Sequence, residues 1–256
     1  MQQNGSTVLY QINEACARIT LDRPEKRNAL NDEMIAGLKN ALRRADDNEH
    51  VRSIILDGSG ADFCSGADLE ALQKISKASV QENLDDARSL MELFTLIRAV
   101  RVPVIAAVRG RALAGGCGLA LACDIVLAAR SARFGFPEVR IGFVPAMVMT
   151  ILRRNVSEKK AFELLTLGTE ISADEAEAFG FVNGLLDDEA FDDELDAFSW
   201  RFERVSRSAV ALTKQLLYKT DGMSFADALE SGADTNVIAR MSEDCQRGIE
   251  KFLKQS

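Results

Sequence analysis

Three short stretches of this 256-residue chain hold residue types that could do chemistry on a bound carbonyl or anion. The first is Asp62-Phe63-Cys64-Ser65-Gly66-Ala67-Asp68-Leu69 and the second Leu113-Ala114-Gly115-Gly116-Cys117-Gly118-Leu119; each follows a strand-like run and leads into an apolar helical pattern. Small residues in such turns let a ligand approach the backbone closely. A helix N-terminus offers free N–H groups and the positive end of a dipole, so two such turns facing each other would form an oxyanion hole. On pattern alone, tight turns that only let helix and strand pack are an equal reading. The third stretch, Phe134-Gly135-Phe136-Pro137-Glu138-Val139-Arg140-Ile141-Gly142, sets a carboxylate among apolar residues, where desolvation would raise its pKa. Pro137-Glu138 by itself also reads as an ordinary helix start, proline first and an acid on the dipole.

Other chemistries find few residues. The single histidine, His50, sits in the polar stretch Asp46-Asp47-Asn48-Glu49-His50 and reads as a surface residue, so Ser-His-Asp and Cys-His mechanisms have almost no candidate base. Five cysteines (Cys16, Cys64, Cys117, Cys123, Cys245) form an odd set without CxxC spacing, which points to reduced thiols and to neither disulfides nor a metal site. Cys64 and Cys117 lie inside the two turns and read as small hydrophobes that stay open to alkylation. A net charge of -8 and no Lys/Arg run longer than two argue against nucleic acid, while leaving room for a phosphorylated small ligand at a local basic patch. The longest strongly apolar stretch, Val102 to Val108, is too short to span a bilayer, and the first residues show neither a basic flank nor an apolar run. No membrane partner and a cytoplasmic address are the expectation.

The elements that must position these stretches follow from periodicity. Val8 to Ile12 and Ala15 to Leu21 read as strands, and Asn31 to Ala45 as a helix behind an Asn/Asp start. Ser53 to Asp57, Val102 to Val108 and Ile125 to Ala128 are further strands separated by segments of helical period, which argues for βαβ units and largely parallel pairing. Lys74 to Asp86 is polar enough for a solvated helix or loop, a candidate lid. From about Ser199 strand signals vanish, and Phe202, Val205, Val210, Leu212, Leu216 and Leu217 mark a terminal helical region.

In order and spacing, four motifs together resemble the enoyl-CoA hydratase/isomerase (crotonase) family. They are Ile19-Thr20-Leu21-Asp22-Arg23-Pro24 with Arg27-Asn28-Ala29-Leu30, then Phe63 to Leu69, Ala112 to Asp124, and Phe134 to Gly142. Glu138 to Ala146 is similar to the branch containing methylglutaconyl-CoA hydratases. The resemblance implies an α/β fold, a crotonase-like ββα spiral core over residues 1–198 with the CoA-binding cleft, and a C-terminal helical trimerisation region over 199–256. It further implies homotrimers or dimers of trimers, and no permanently bound cofactor, coenzyme A arriving as part of the substrate.

Residue by residue, it makes Glu138 the proton carrier and Ala67 and Gly115 the backbone donors to the thioester carbonyl. Ala29, Asp68 and Leu69 fall on the CoA cleft, with Ser65, Gly116 and Pro137 completing the substrate-binding set, and Lys26 and Arg27 as partners for CoA phosphates. Hydratases of the family usually carry a second glutamate, and here that position is Gly118. The implied activity is hydration and dehydration of a 2-enoyl-CoA, as in β-oxidation of fatty acids. A 3-enoyl-CoA isomerase using one glutamate, or a CoA-binding protein with a decayed site, is the alternative.

Overall fold

The structure is a computed structural model, and it describes residues 7–255. Two strands open the chain, β1 (Val8–Asn13) and β2 (Cys16–Leu21), paired antiparallel around the turn at Glu14. Helix α1 (Asp32–Asp47) starts where Asn31 accepts a hydrogen bond from the Met34 N–H, and it buries Met34, Ile35, Leu38 and Leu42. β3 (Ser53–Gly58) is buried along nearly its whole length, the pattern of a strand covered on both faces. It leads through the first glycine turn into α2 (Leu69–Ile75), which buries none of its residues, and α3 (Val80–Ala99), opened by a Ser79/Glu82 capping box. The polar stretch from Lys74 to Asp86 is therefore the end of one helix and the start of the next.

β4 (Val104–Val108) begins two residues later than the apolar run because Pro103 has no N–H to add to the ladder. After β5 (Arg111–Leu113), the second glycine turn opens α4 (Gly115–Ala122), nearly all of it buried. β6 (Ile125–Ala129) and β7 (Arg133–Gly135) precede the Glu138 turn; then come α5 (Ala146–Leu152), α6 (Glu158–Leu167), β8 (Glu170–Ser172), α7 (Ala173–Phe179), β9 (Gly184–Leu186) and α8 (Phe191–Ser199). β1-β2-β3-β4-β6-β9 form one sheet, parallel from β2 onward; β5-β7-β8 form a second. The three short strands of that second sheet and β9 escape the sequence reading, since three residues carry no measurable period.

α9 (Arg207–Lys219), α10 (Phe225–Met241) and α11 (Glu243–Gln255) close the chain, helical as expected. Lys214, 6% exposed, anchors them: its ammonium donates to the carbonyls of Ile97 and Val102 and to the Asp124 carboxylate at 2.6–3.0 Å, and Tyr218 donates to the same carboxylate. Among the described residues, no helix is long and apolar enough to cross a membrane.

Candidate active site

The two glycine turns meet. Gly66 adopts a φ of +96°, closed to most side chains, and its carbonyl accepts from Leu30 N–H while Asp68 N–H donates back to Leu30. Cys64 N–H donates to the Arg111 carbonyl and the Cys64 carbonyl accepts from Leu113 N–H, a parallel bridge opposite Ala112 that joins the first turn to the second. Gly116 has to be glycine, because a Cβ there would lie 2.3 Å from the Cys64 carbonyl oxygen. This contact brings the start of α4 against the first turn: a Cβ on Gly115 would sit 3.9 Å from Ala67 N. Among the described residues, neither the Ala67 nor the Gly115 N–H donates a hydrogen bond to the protein. Two unengaged donors at such proximity can converge on one oxygen.

Glu138 completes the arrangement. It lies in a short 3₁₀ turn, Pro137–Ile141, ended by Gly142 at a φ of +75°. The side chain is 9% exposed, and its Oε2 is buried without a partner. Burial pushes its pKa above the ordinary glutamate value, against a smaller opposing effect of its own backbone N–H. A cavity of about 520 Å³ joins Glu138 to Ala67 and Gly115, walled by Leu72, Ala87, Leu90, Phe143, Val144 and Val148 among others. A buried carboxylate beside two free N–H groups in an apolar cavity can exchange a proton with a carbon or a water while the donors hold negative charge.

Of the residues singled out in the sequence, Ser65, Ala67, Leu69, Gly115, Pro137 and Glu138 line this cavity. Gly116 serves the packing just described. Lys26 is exposed and ion-paired to Glu70 at 2.7 Å, and Arg27 is exposed on a left-handed turn whose carbonyl accepts from Ser65 N–H. Ala29 is buried, its carbonyl accepting from Arg23. Asp68 caps α2 through the N–H groups of Glu70 and Ala71 and pairs with Arg23 at 3.0 Å. Burial alone would raise the Asp68 pKa, but Arg23 and the two N–H groups together hold it below the ordinary range. The thiols of Cys64 and Cys117 are wholly buried, Cys64 donating to the Asn28 carbonyl with its pKa pushed up to about 12, so alkylation at these positions is closed off.

Gly118 faces neither water nor a spare pocket. A Cβ there would lie 2.7 Å from Val148 Cγ2 and 3.4 Å from Phe94 Cζ, so the place of a second carboxylate is filled by apolar packing. A glutamate at that position would not fit without change around it.

Reading by residue type missed the supports. Asn28, fully buried at a φ of +54°, accepts from Arg23 N–H and donates to the carbonyls of Ser59 and Asp62, pinning the first turn. Its signal was present in Arg27-Asn28-Ala29-Leu30, where a left-handed position favours asparagine. A separate cleft of about 530 Å³ surrounds Arg18, Asp57, Arg109 and Asp192, but both arginines are consumed in ion pairs of 2.6–3.0 Å, and it shares no residue with the Glu138 cavity. Among the described residues, no group of His, Cys, Asp or Glu is arranged to hold a metal ion.

Fold and site together define an α/β protein of crotonase type, and solved structures bear this out. An enoyl-CoA hydratase from Mycobacterium smegmatis superposes with a TM-score of 0.93 at 32% identity, over 97% of this chain and 96% of that one. Human enoyl Coenzyme A hydratase domain-containing protein 3 gives 0.92 at 28% identity, over 97% and 98%. The family model "Enoyl-CoA hydratase/isomerase" matches residues 11–256, and the chain belongs to that family. A crotonyl-CoA hydratase from Syntrophomonas wolfei is 33% identical over 97% of this chain and 95% of its own length.

Proposed function

We propose that the cavity takes the acyl part of a CoA thioester and that the protein adds water to, and removes it from, a 2-enoyl-CoA. One observation carries this reading: a buried Glu138 with an unpartnered oxygen shares a cavity wall with the unengaged N–H groups of Ala67 and Gly115. In the hydration direction Glu138 removes a proton from water as the water oxygen bonds to C3. The C2=C3 electron pair moves toward the thioester, whose oxygen gains negative charge between the two N–H groups. The resulting carboxylic acid then delivers its proton to C2, restoring Glu138. One water enters, one C–O and one C–H bond form, and no electrons leave, so the step calls for no resident cofactor. Each N–H donor is worth about two to three orders of magnitude in rate.

Lys26 and Arg27 lie outside the cavity on an exposed turn whose Arg27 carbonyl accepts from Ser65 N–H, a residue of the cavity wall, and are the groups for the CoA phosphates, Lys26 exchanging its surface pairing with Glu70 for a phosphate. Asp68 and Ala29 act from behind the wall by fixing Arg23. Names of relatives, such as crotonyl-CoA hydratase, agree with hydration.

The packing of Val148 and Phe94 over Gly118 favours a second reading, movement of a 3-enoyl double bond to the 2-position by the single carboxylate, since that chemistry consumes no water. Turnover of crotonyl-CoA and 3-hexenoyl-CoA in oxygen-18 water, followed by mass spectrometry, separates the two. Hydration gives a 3-hydroxyacyl-CoA that has gained one labelled water from crotonyl-CoA. Products that never incorporate label, with 3-hexenoyl-CoA converted to its 2-isomer, would overturn hydration; no turnover of either would overturn the enzymatic reading.

A further inference from the structure

The Glu138 cavity has a narrower neighbour. A space of about 70 Å³ lies between the start of α1, helix α2 and the middle of α3, and it shares Ala67, Leu72, Leu90 and Gly115 with the larger cavity. An acyl chain leaving the thioester carbonyl between the two N–H groups therefore meets both spaces along Leu72 and Leu90. Leu30, Ile35 and Ile75 give the narrow space an apolar wall. Asn31 also borders it, with its side-chain oxygen occupied by the Met34 N–H. The charged groups on the wall are two carboxylates, Asp32 from α1 and Asp86 from α3.

Neither carboxylate has a hydrogen-bond or ion-pair partner among the described residues; Lys74 on α2 is exposed and pairs with neither, and three other nearby cations are engaged elsewhere. Lys39 pairs with Glu92 at 2.9 Å, Arg88 with Asp85 at 3.8 Å and Lys26 with Glu70 at 2.7 Å. Asp32 stands exposed at the first position of α1. Burial first, and the charge of Asp32 second, push the half-buried Asp86 above the ordinary aspartate range, a sign that a further negative charge is unwelcome here.

We propose that Asp86, backed by Asp32, sets acyl-chain specificity by closing this space to chains that end in a carboxylate while admitting apolar chains and chains ending in a hydroxyl. The proposal rests on the acyl-CoA reading above and adds to it the class of acyl chain accepted. A carboxylate brought beside the half-buried Asp86, with Asp32 at the exposed rim, is repelled, whereas a hydroxyl can donate to either of them.

The test compares kcat/KM for 2-hexenoyl-CoA, 6-hydroxy-2-hexenoyl-CoA and 2-hexenedioyl-CoA, three chains of equal length. The wild-type protein should prefer the first two over the dioic ester by ~tenfold or more. Asp86→Asn, with Asp32→Asn as the companion variant, should shrink that ratio by a similar factor, with circular dichroism confirming a folded protein. A wild-type protein that handles the dioic ester as well as 2-hexenoyl-CoA overturns the proposal, and so does a ratio unchanged in both variants. Wild-type turnover of 2-hexenoyl-CoA separates the two claims. Its absence overturns the acyl-CoA reading and this one with it; turnover with an unaltered ratio overturns the assignment of Asp86 alone.

Discussion

Glu138 carries a cost in stability that follows from its role. Its pKa is raised in the folded protein, so between the unfolded glutamate value of ~4.3 and the higher folded one the native state binds more protons than the unfolded state. This contribution to stability is present at low pH and is lost as pH rises through the folded pKa. Glu138→Gln removes the buried charge, and differential scanning calorimetry at pH 7 should show a midpoint raised by ~2 °C or more. In the wild type, kcat/KM should rise with pH along a titration lying above the ordinary glutamate value, because the ionised form starts the reaction. Gly118 tests the opposite constraint. Gly118→Glu alone should destabilise the protein by about 1–3 kcal/mol, since its Cβ would meet Val148 Cγ2 at 2.7 Å. Gly118→Glu with Val148→Ala should recover folding in a urea titration and raise hydration relative to isomerisation.

At the scale of elements, the site depends on a tie between residues distant in sequence. Arg23 donates to the Ala29 carbonyl and pairs with Asp68, which caps α2, so the turn before α1, the first glycine turn and a helix that buries none of its residues are held together. Arg23→Ala should raise KM for acyl-CoA several-fold with a smaller change in kcat, because Leu69 and Leu72 on α2 would lose their fixed place in the cavity wall. Asp68 is held below the ordinary aspartate range, so the tie adds stability above the unfolded value of ~3.9 and loses it as pH falls through the lower folded one. Thermal melts of wild type and Arg23→Ala should therefore converge at acid pH. The motifs made the two turns and the Glu138 element legible. They could not tell that Asp68 and Ala29 serve Arg23, since burial and partner choice arise only when the turns meet. Nor could they reveal that Val148 and Phe94 occupy the space beside Gly118, which depends on how α3 and α5 pack on α4.

For the whole molecule, the long apolar runs of β3 and β4 announced a covered parallel sheet, and the structure has one from β2 to β9. The small second sheet lay below the reach of periodicity, although its strands β5 and β7 lead into the Gly115 and Glu138 turns. The terminal helices leave Phe225 82% and Met241 74% exposed, with Leu229 and Val237 also uncovered, an apolar stretch of α10 of the kind a second copy covers. Sedimentation should accordingly give a mass of three or six times 28.0 kDa, and Phe225→Asp with Met241→Asp should shift it to smaller species; a wild-type monomer would contradict the proposed trimerisation region. The cavity centres on one group, the carboxylate of Glu138. The direct measurement is steady-state turnover of the best 2-enoyl-CoA by Glu138→Gln beside acyl-CoA affinity by calorimetry. Turnover should fall by about two to three orders of magnitude with affinity nearly unaltered. A variant that keeps more than about a tenth of wild-type turnover would contradict Glu138 as the proton carrier.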